Sequence, residues 1–88
     1  MGTAPSSTIA VRVLLFASYA ERMGLDSLDV RLPAPATVGS VLERVRSLPG
    51  GRDLPLRPLC ALNLAHASLD QAVSAGDELA VLPPMAGG

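Results

Sequence analysis

The chain has 88 residues with seven basic and eight acidic side chains, a formal net charge of −1, and a single cysteine. That length supports one domain, at most about 65% of whose unfolded surface folding can bury. One thiol excludes an internal disulfide and a multi-cysteine zinc cage. No basic stripe is present to neutralise a phosphate backbone, and only Phe16 and Tyr19 are available to stack on bases, so nucleic acid is not an expected partner. Although 49% of residues are hydrophobic, the longest strongly apolar run, Val13 to Ala17, is too short to span a bilayer. Met1 to Thr8 has neither the basic region nor the apolar core of a signal peptide. No membrane association is expected, and a cytoplasmic location is the default expectation.

Residues 1–8 are small and polar and read as a flexible lead-in to a domain over 9–82. Ile9 to Phe16 alternates as a strand, with Ile9, Val11, Val13 and Leu15 on one face and Ala10, Arg12, Leu14 and Phe16 on the other. The second face is mixed and is expected to be partly covered by the tail or by another protein. Ser18 to Met23 is expected to form a helical turn with Ser18 as N-cap and Gly24 as its left-handed stop. Ser27 to Leu32 alternates again, with Leu28, Val30 and Leu32 inward, and should pair antiparallel with the first strand. Pro33-Ala34-Pro35 ends it.

Thr37 to Leu48 is the clear amphipathic helix: Thr37 is its N-cap, and Val38, Val41, Leu42, Val45 and Leu48 recur at helical spacing. Pro49-Gly50-Gly51 stops it, and the two-proline stretch Arg52 to Pro58 is expected to be irregular. Leu59 to Asn63 reads as a short strand, Asn63 to His66 as a turn, and Ala67 to Leu69 as a further strand. Ser74-Ala75-Gly76-Asp77 signals a turn before the last strand, Glu78 to Leu82, which places Leu79 and Val81 on one face and Ala80 and Leu82 on the other. Strand, strand, helix, then short strands is the order of an α+β, β-grasp (ubiquitin-like) mixed sheet packed on one main helix. In that arrangement the first and last strands are central neighbours.

Side chains supply little chemistry. Cys60 lies among Leu59, Ala61 and Leu62 and reads as a core residue; His66 reads as a solvated turn residue without a partner histidine, so no metal site is expected. The carboxylates are scattered, and Asp77 and Glu78, adjacent on a strand, diverge. The terminus is different. Pro83-Pro84 favours an extended conformation, and the six residues from Pro83 reach at most about 20 Å. Gly87 and Gly88 carry no side chains, so the terminal carboxylate can thread a slot closed to any other residue. Residues 83–88 therefore read as an extended Gly-Gly tail whose working group is the Gly88 carboxylate.

Three stretches resemble the molybdopterin synthase small subunits (MoaD-type sulfur carriers of the MoaD/ThiS ubiquitin-like family). These are Phe16-Ala17 with Glu21 and Gly24, then Ala61-Leu62-Asn63, and finally Gly76-Asp77-Glu78-Leu79-Ala80 running through Pro83-Pro84 to Gly87-Gly88. The region from Pro49 to Pro58 and the residues Leu64-Ala65-His66 depart from the family pattern. The resemblance implies a sulfur carrier in molybdenum cofactor biosynthesis. A ubiquitin-activating-type enzyme, using ATP and magnesium, would adenylate Gly88, and a sulfurtransferase would convert it to a thiocarboxylate. The tail would then deliver sulfur to a pyranopterin inside the large synthase subunit, in a heterotetramer. The chain itself would bind no cofactor. Phe16, Leu82, Pro83, Pro84 and Met85 are the candidate docking residues, although Phe16 fits a sheet-covering core position equally well. Two alternatives share the activated terminus: a thiazole-forming carrier, against which the diproline counts, and a ubiquitin-like protein modifier.

Overall fold

The computed structural model describes residues 8–84. The first strand, β1 (Thr8–Leu15), begins one residue earlier than its alternation suggests and pairs antiparallel with β2 (Ser27–Pro33) in a register that sets Val11 opposite Val30 and Val13 opposite Leu28. Between them lies α1 (Ala17–Met23), closed by Gly24 at φ 71°, the left-handed stop expected there. Its start differs from expectation. Phe16, not Ser18, is the N-cap, with extended backbone (φ −128°, ψ 151°) and no side-chain cap, and Ala17 turns the chain at φ 51°. The strand runs straight into the helix, so no polar residue has room to serve as the cap, and Ser18 is exposed inside the first turn.

A two-residue strand, β3 (Ala36–Thr37), leads into α2 (Val38–Arg46). Thr37 caps this helix as expected. Its Oγ1 accepts from the Ser40 N–H at 3.2 Å, and Ser40 Oγ returns the bond to the Thr37 N–H at 3.1 Å, so two orphan donors are satisfied reciprocally. Val38, Val41, Leu42 and Val45 are buried, as the spacing requires. The helix ends at Arg46 with Ser47 as its C-cap, short of the expected Leu48, because Pro49 disfavours helical backbone at the residue before it. The connection that follows has no regular strand or helix but is anchored. Leu54 is buried, its carbonyl accepts from Arg46 Nε at 3.1 Å, and Asp53 pairs with Arg22 of α1 at 3.0 Å.

β4 (Leu59–Leu62) and β5 (Ala65–Ala67) form a hairpin, β6 (Ala72–Val73) pairs with β3, and β7 (Glu78–Leu82) completes the sheet. The order is β2-β1-β7-β4-β5. First and last strands are indeed neighbours, running parallel with Val13 beside Leu79 and Leu15 beside Val81. Two expectations fail locally. The turn is Asn63-Leu64 alone, both at positive φ (50° and 73°), so the next strand is Ala65–Ala67 and not Ala67–Leu69, and His66 lies in a strand. The small β3–β6 sheet was not expected at all. It closes the loop beneath α2, where the Val38 N–H donates to the Gln71 carbonyl at 2.9 Å and the Gly39 N–H to the Leu69 carbonyl at 2.8 Å.

One face of the sheet packs on α2. Val11, Val13 and Leu15 meet Val30, Leu32, Cys60, Leu79 and Val81 there, together with the buried helix residues and Tyr19. Cys60 is 2% exposed and fills this core as expected. No buried polar or charged residue interrupts it among the described residues. No helix of the described residues is long and apolar enough to cross a membrane.

Candidate functional site

Among the described residues, no element covers the outer face of the sheet. Strand registers align Leu14 with Ala80, Ala80 with Ala61 and Ala61 with His66, so one row of side chains crosses four strands. The next row sets Leu82 opposite Leu59, which is 46% exposed. Phe16, one alternation beyond Leu14, is 43% exposed at the margin of this face. A shallow cleft between Leu14, Phe16, Ala20 and Ser27 separates it from α1 and the start of β2. Arg12, paired with Asp29 at 3.5 Å, and Glu78 form a charged border. An apolar floor of small alanines rimmed by larger leucines and a phenylalanine, enclosed by charges, has the composition of a protein-docking patch.

The structure thus places Phe16 and Leu82 on one surface, with Pro83 half-buried and Pro84 exposed where β7 runs out of it. Met85, Gly87 and Gly88 lie outside the described residues. Leu14, Leu59, Ala61 and Ala80 belong to the same surface and were not singled out from sequence. Leu59 and Ala61 gain their place only once β4 is known to pair with β7. The alternation in Leu59 to Leu62, with Cys60 and Leu62 turned to the core, was the available signal.

The position of this surface depends on a polar clasp at the other end of β7. Asn63 donates from Nδ2 to Asp77 Oδ1 at 3.1 Å and accepts at Oδ1 from the Glu78 N–H at 3.0 Å, while its own N–H donates to the Glu78 carbonyl at 2.8 Å. The second Asp77 carboxylate oxygen accepts from the Ser74 N–H at 2.7 Å and so closes the turn that Gly76 makes at φ 86°. Two β1 contacts complete it: the Arg12 N–H donates to the Asp77 carbonyl, and the Gly76 N–H to the Ala10 carbonyl, each at 2.9 Å. The Asn63 and Gly76-Asp77-Glu78 motifs are therefore two halves of one device. It fixes the register of β7 against both neighbours, and hence the point where the tail departs.

Other chemistry is sparse. No three histidine, cysteine, aspartate or glutamate side chains converge to hold a metal among the described residues. Burial pushes the Cys60 thiol up to about 11, which leaves it protonated and unreactive near neutral pH. His66 is exposed on the edge strand beside Ala61.

Comparison with known proteins agrees with this geometry. The model of the ThiS family matches residues 13–88. The chain is 32% identical over 84 residues to a molybdopterin synthase sulfur carrier subunit of Arabidopsis thaliana, covering 94% of this chain and 88% of that protein. Among solved structures it resembles SAMP1 of Haloferax volcanii at 31% identity and a TM-score of 0.78, over 90% of this chain and 99% of that one. A putative molybdopterin converting factor subunit 1 from Pyrococcus furiosus shares the fold at 22% identity and a TM-score of 0.75, over 88% and 99%. With a β-grasp sheet, the matched motifs and a family match running through the last residue, the chain belongs to the ThiS family, the MoaD/ThiS type of ubiquitin-like sulfur carrier.

Proposed function

We propose that this chain is the sulfur-donating small subunit of a molybdopterin synthase, with the Gly88 carboxylate as its reacting group. The observation that carries the reading is the exit of central strand β7 into Pro83-Pro84 at the edge of an apolar face that no described residues cover, with Gly87-Gly88 following in the sequence. Identity to the Arabidopsis sulfur carrier subunit across 94% of the chain supports the pathway. A carboxylate is a poor acyl donor because oxide is a poor leaving group. An adenylating enzyme supplied with ATP and magnesium would join the Gly88 carboxylate to the α-phosphoryl group and release pyrophosphate. A sulfur donor would then displace AMP and leave a thiocarboxylate, whose sulfur is the softer and stronger nucleophile.

The apolar face built from Leu14, Phe16, Leu59, Ala80 and Leu82 would dock on each partner in turn, with Pro83, Pro84 and Met85 continuing the contact. Gly87 and Gly88 would enter the partner's active site, which provides the acid–base groups. A relative in Helicobacter pylori has been solved as a complex of subunits 1 and 2 of molybdopterin-converting factor, which supports a large-subunit partner for this chain. The likeness to SAMP1, a small archaeal modifier protein, favours one second reading, attachment of Gly88 to protein amines.

Intact-mass measurement tests both readings, after incubation with ATP, magnesium, a ubiquitin-activating-type enzyme and a sulfur donor. The carrier reading expects a gain equal to one oxygen exchanged for sulfur, located on Gly88, and loss of that gain when one bulky residue is added after Gly88. Stable conjugates to other proteins with no thiocarboxylate would overturn it in favour of the modifier.

A further inference from the structure

All seven basic side chains in the sequence are arginines, and there is no lysine. For surface charge the choice matters little. For acyl chemistry it is decisive, because a deprotonated ε-amine attacks an activated carbonyl, whereas a guanidinium stays protonated and delocalised. Position 12 shows the consequence. Arg12 stands on the outer face opposite Glu78, four residues before the end of β7, or about 13 Å along the strand. The contour length of residues 83–88, about 20 Å, exceeds that distance, so a bond within one chain requires the tail to turn back, and a bond to another copy does not. The Asp29 contact made there by Arg12 is one a lysine could also make.

The other strong nucleophile is equally withdrawn. Cys60 sits between Ala67 and Val81 in the core, and its thiol is held protonated. The exposed imidazole of His66 can form only an acyl-imidazole, which water returns to the carboxylate.

We propose, resting on the carrier reading above, that the side chains of this surface are chemically passive toward an activated Gly88, its own or another copy's. The charged carrier is then not lost as a lactam or as lysine-linked chains of copies. The step avoided is attack of an ε-amine nitrogen on the acyl-adenylate carbon. It forms a C–N bond, breaks the C–O bond to AMP and releases the amine proton to solvent.

The test uses the full chain, Arg12→Lys and Arg44→Lys, each with ATP, magnesium and an adenylating enzyme but no sulfur donor. Pyrophosphate exchange is followed alongside intact mass and peptide mapping. Linked product is normalised to each protein's own exchange rate, and the wild type should give no product linking Gly88 to a side chain. Arg12→Lys should give a product lighter by one water and linked at position 12, or a two-chain product linked there, at least about tenfold above wild type. Arg44→Lys, exposed on α2 across the sheet from the outer face, should give two-chain products only. Side-chain-linked products from the wild type, or lysine variants that form no more than the wild type, would overturn the inference. Absence of exchange by the wild type would refute the carrier reading and this inference with it.

Discussion

Replacing Asn63 with alanine tests whether the clasp holds the sheet in register. The substitution removes the acceptor for the Glu78 N–H and the donor to the Asp77 carboxylate, and it leaves alanine at φ 50°. The two bonds contribute about 0.5 and about 1 kcal/mol, at the low end because both are exposed to water. Left-handed backbone costs alanine about 1 kcal/mol more than it costs asparagine or glycine. Together these give a loss of about 2–3 kcal/mol, or a Tm lowered by about 10–20 °C for a domain of this size. Asn63→Gly loses the same bonds without the backbone term and should be more stable than Asn63→Ala by about 1 kcal/mol. Urea titration followed by circular dichroism, at unchanged m-value, measures both. An alanine variant within about 0.5 kcal/mol of wild type would refute the clasp, and equal losses for the two variants would refute the backbone argument.

Three further outcomes are expected. Cys60 has a folded-state pKa raised from 9.0 to about 11, so its buried neutral thiol contributes stability that is intact below pH 9 and lost as pH rises through 11. Cys60→Ala should flatten the alkaline limb of a stability–pH profile while lowering stability at pH 7 through the cavity it leaves. A methyl group at Gly51 would overlap the Val45 carbonyl oxygen, whereas one at Gly24 meets nothing within 4 Å and faces only the φ of 71°. Gly51→Ala should therefore cost about 3 kcal/mol in chemical denaturation and Gly24→Ala about 1 kcal/mol. Ala80→Arg places a charge in the centre of the outer face without touching the core. Its Tm should stay within a few degrees of wild type. Calorimetric affinity for the large synthase subunit should fall by at least about tenfold; unchanged affinity would remove this face from the docking reading.

What was legible in the sequence is what periodicity and capping encode. Alternation in Ile9 to Phe16 and Glu78 to Leu82 separated core from outer face correctly, since each strand has one face fully buried on α2 and a one-residue slip would exchange the two. Thr37 announced its helix because its side chain does the capping. The first helix was misplaced by two residues at its cap, because a backbone turn at Ala17 replaces the side-chain signal. The turn between β4 and β5 was drawn two residues too long for a related reason. A two-residue turn with both φ values positive is ordinarily marked by Asn-Gly, and here Leu64, 94% exposed, occupies the glycine position. The outer-face residues of β4 stayed hidden because the alternation in Leu59 to Leu62 separates two faces but does not say that β4 pairs with β7, whose partner residues lie seventeen or more positions away.

The strand that bears the tail is also the keystone of the sheet. Bonded to β1 on one side and β4 on the other, β7 joins what would otherwise be two separate hairpins. A polypeptide lacking residues 78–82 would have no continuous platform, and during synthesis the platform cannot assemble until β7 itself has left the ribosome. Departure of the tail from the sheet is thereby tied to assembly of the sheet itself: a partner that gripped this face would find it only in the folded molecule.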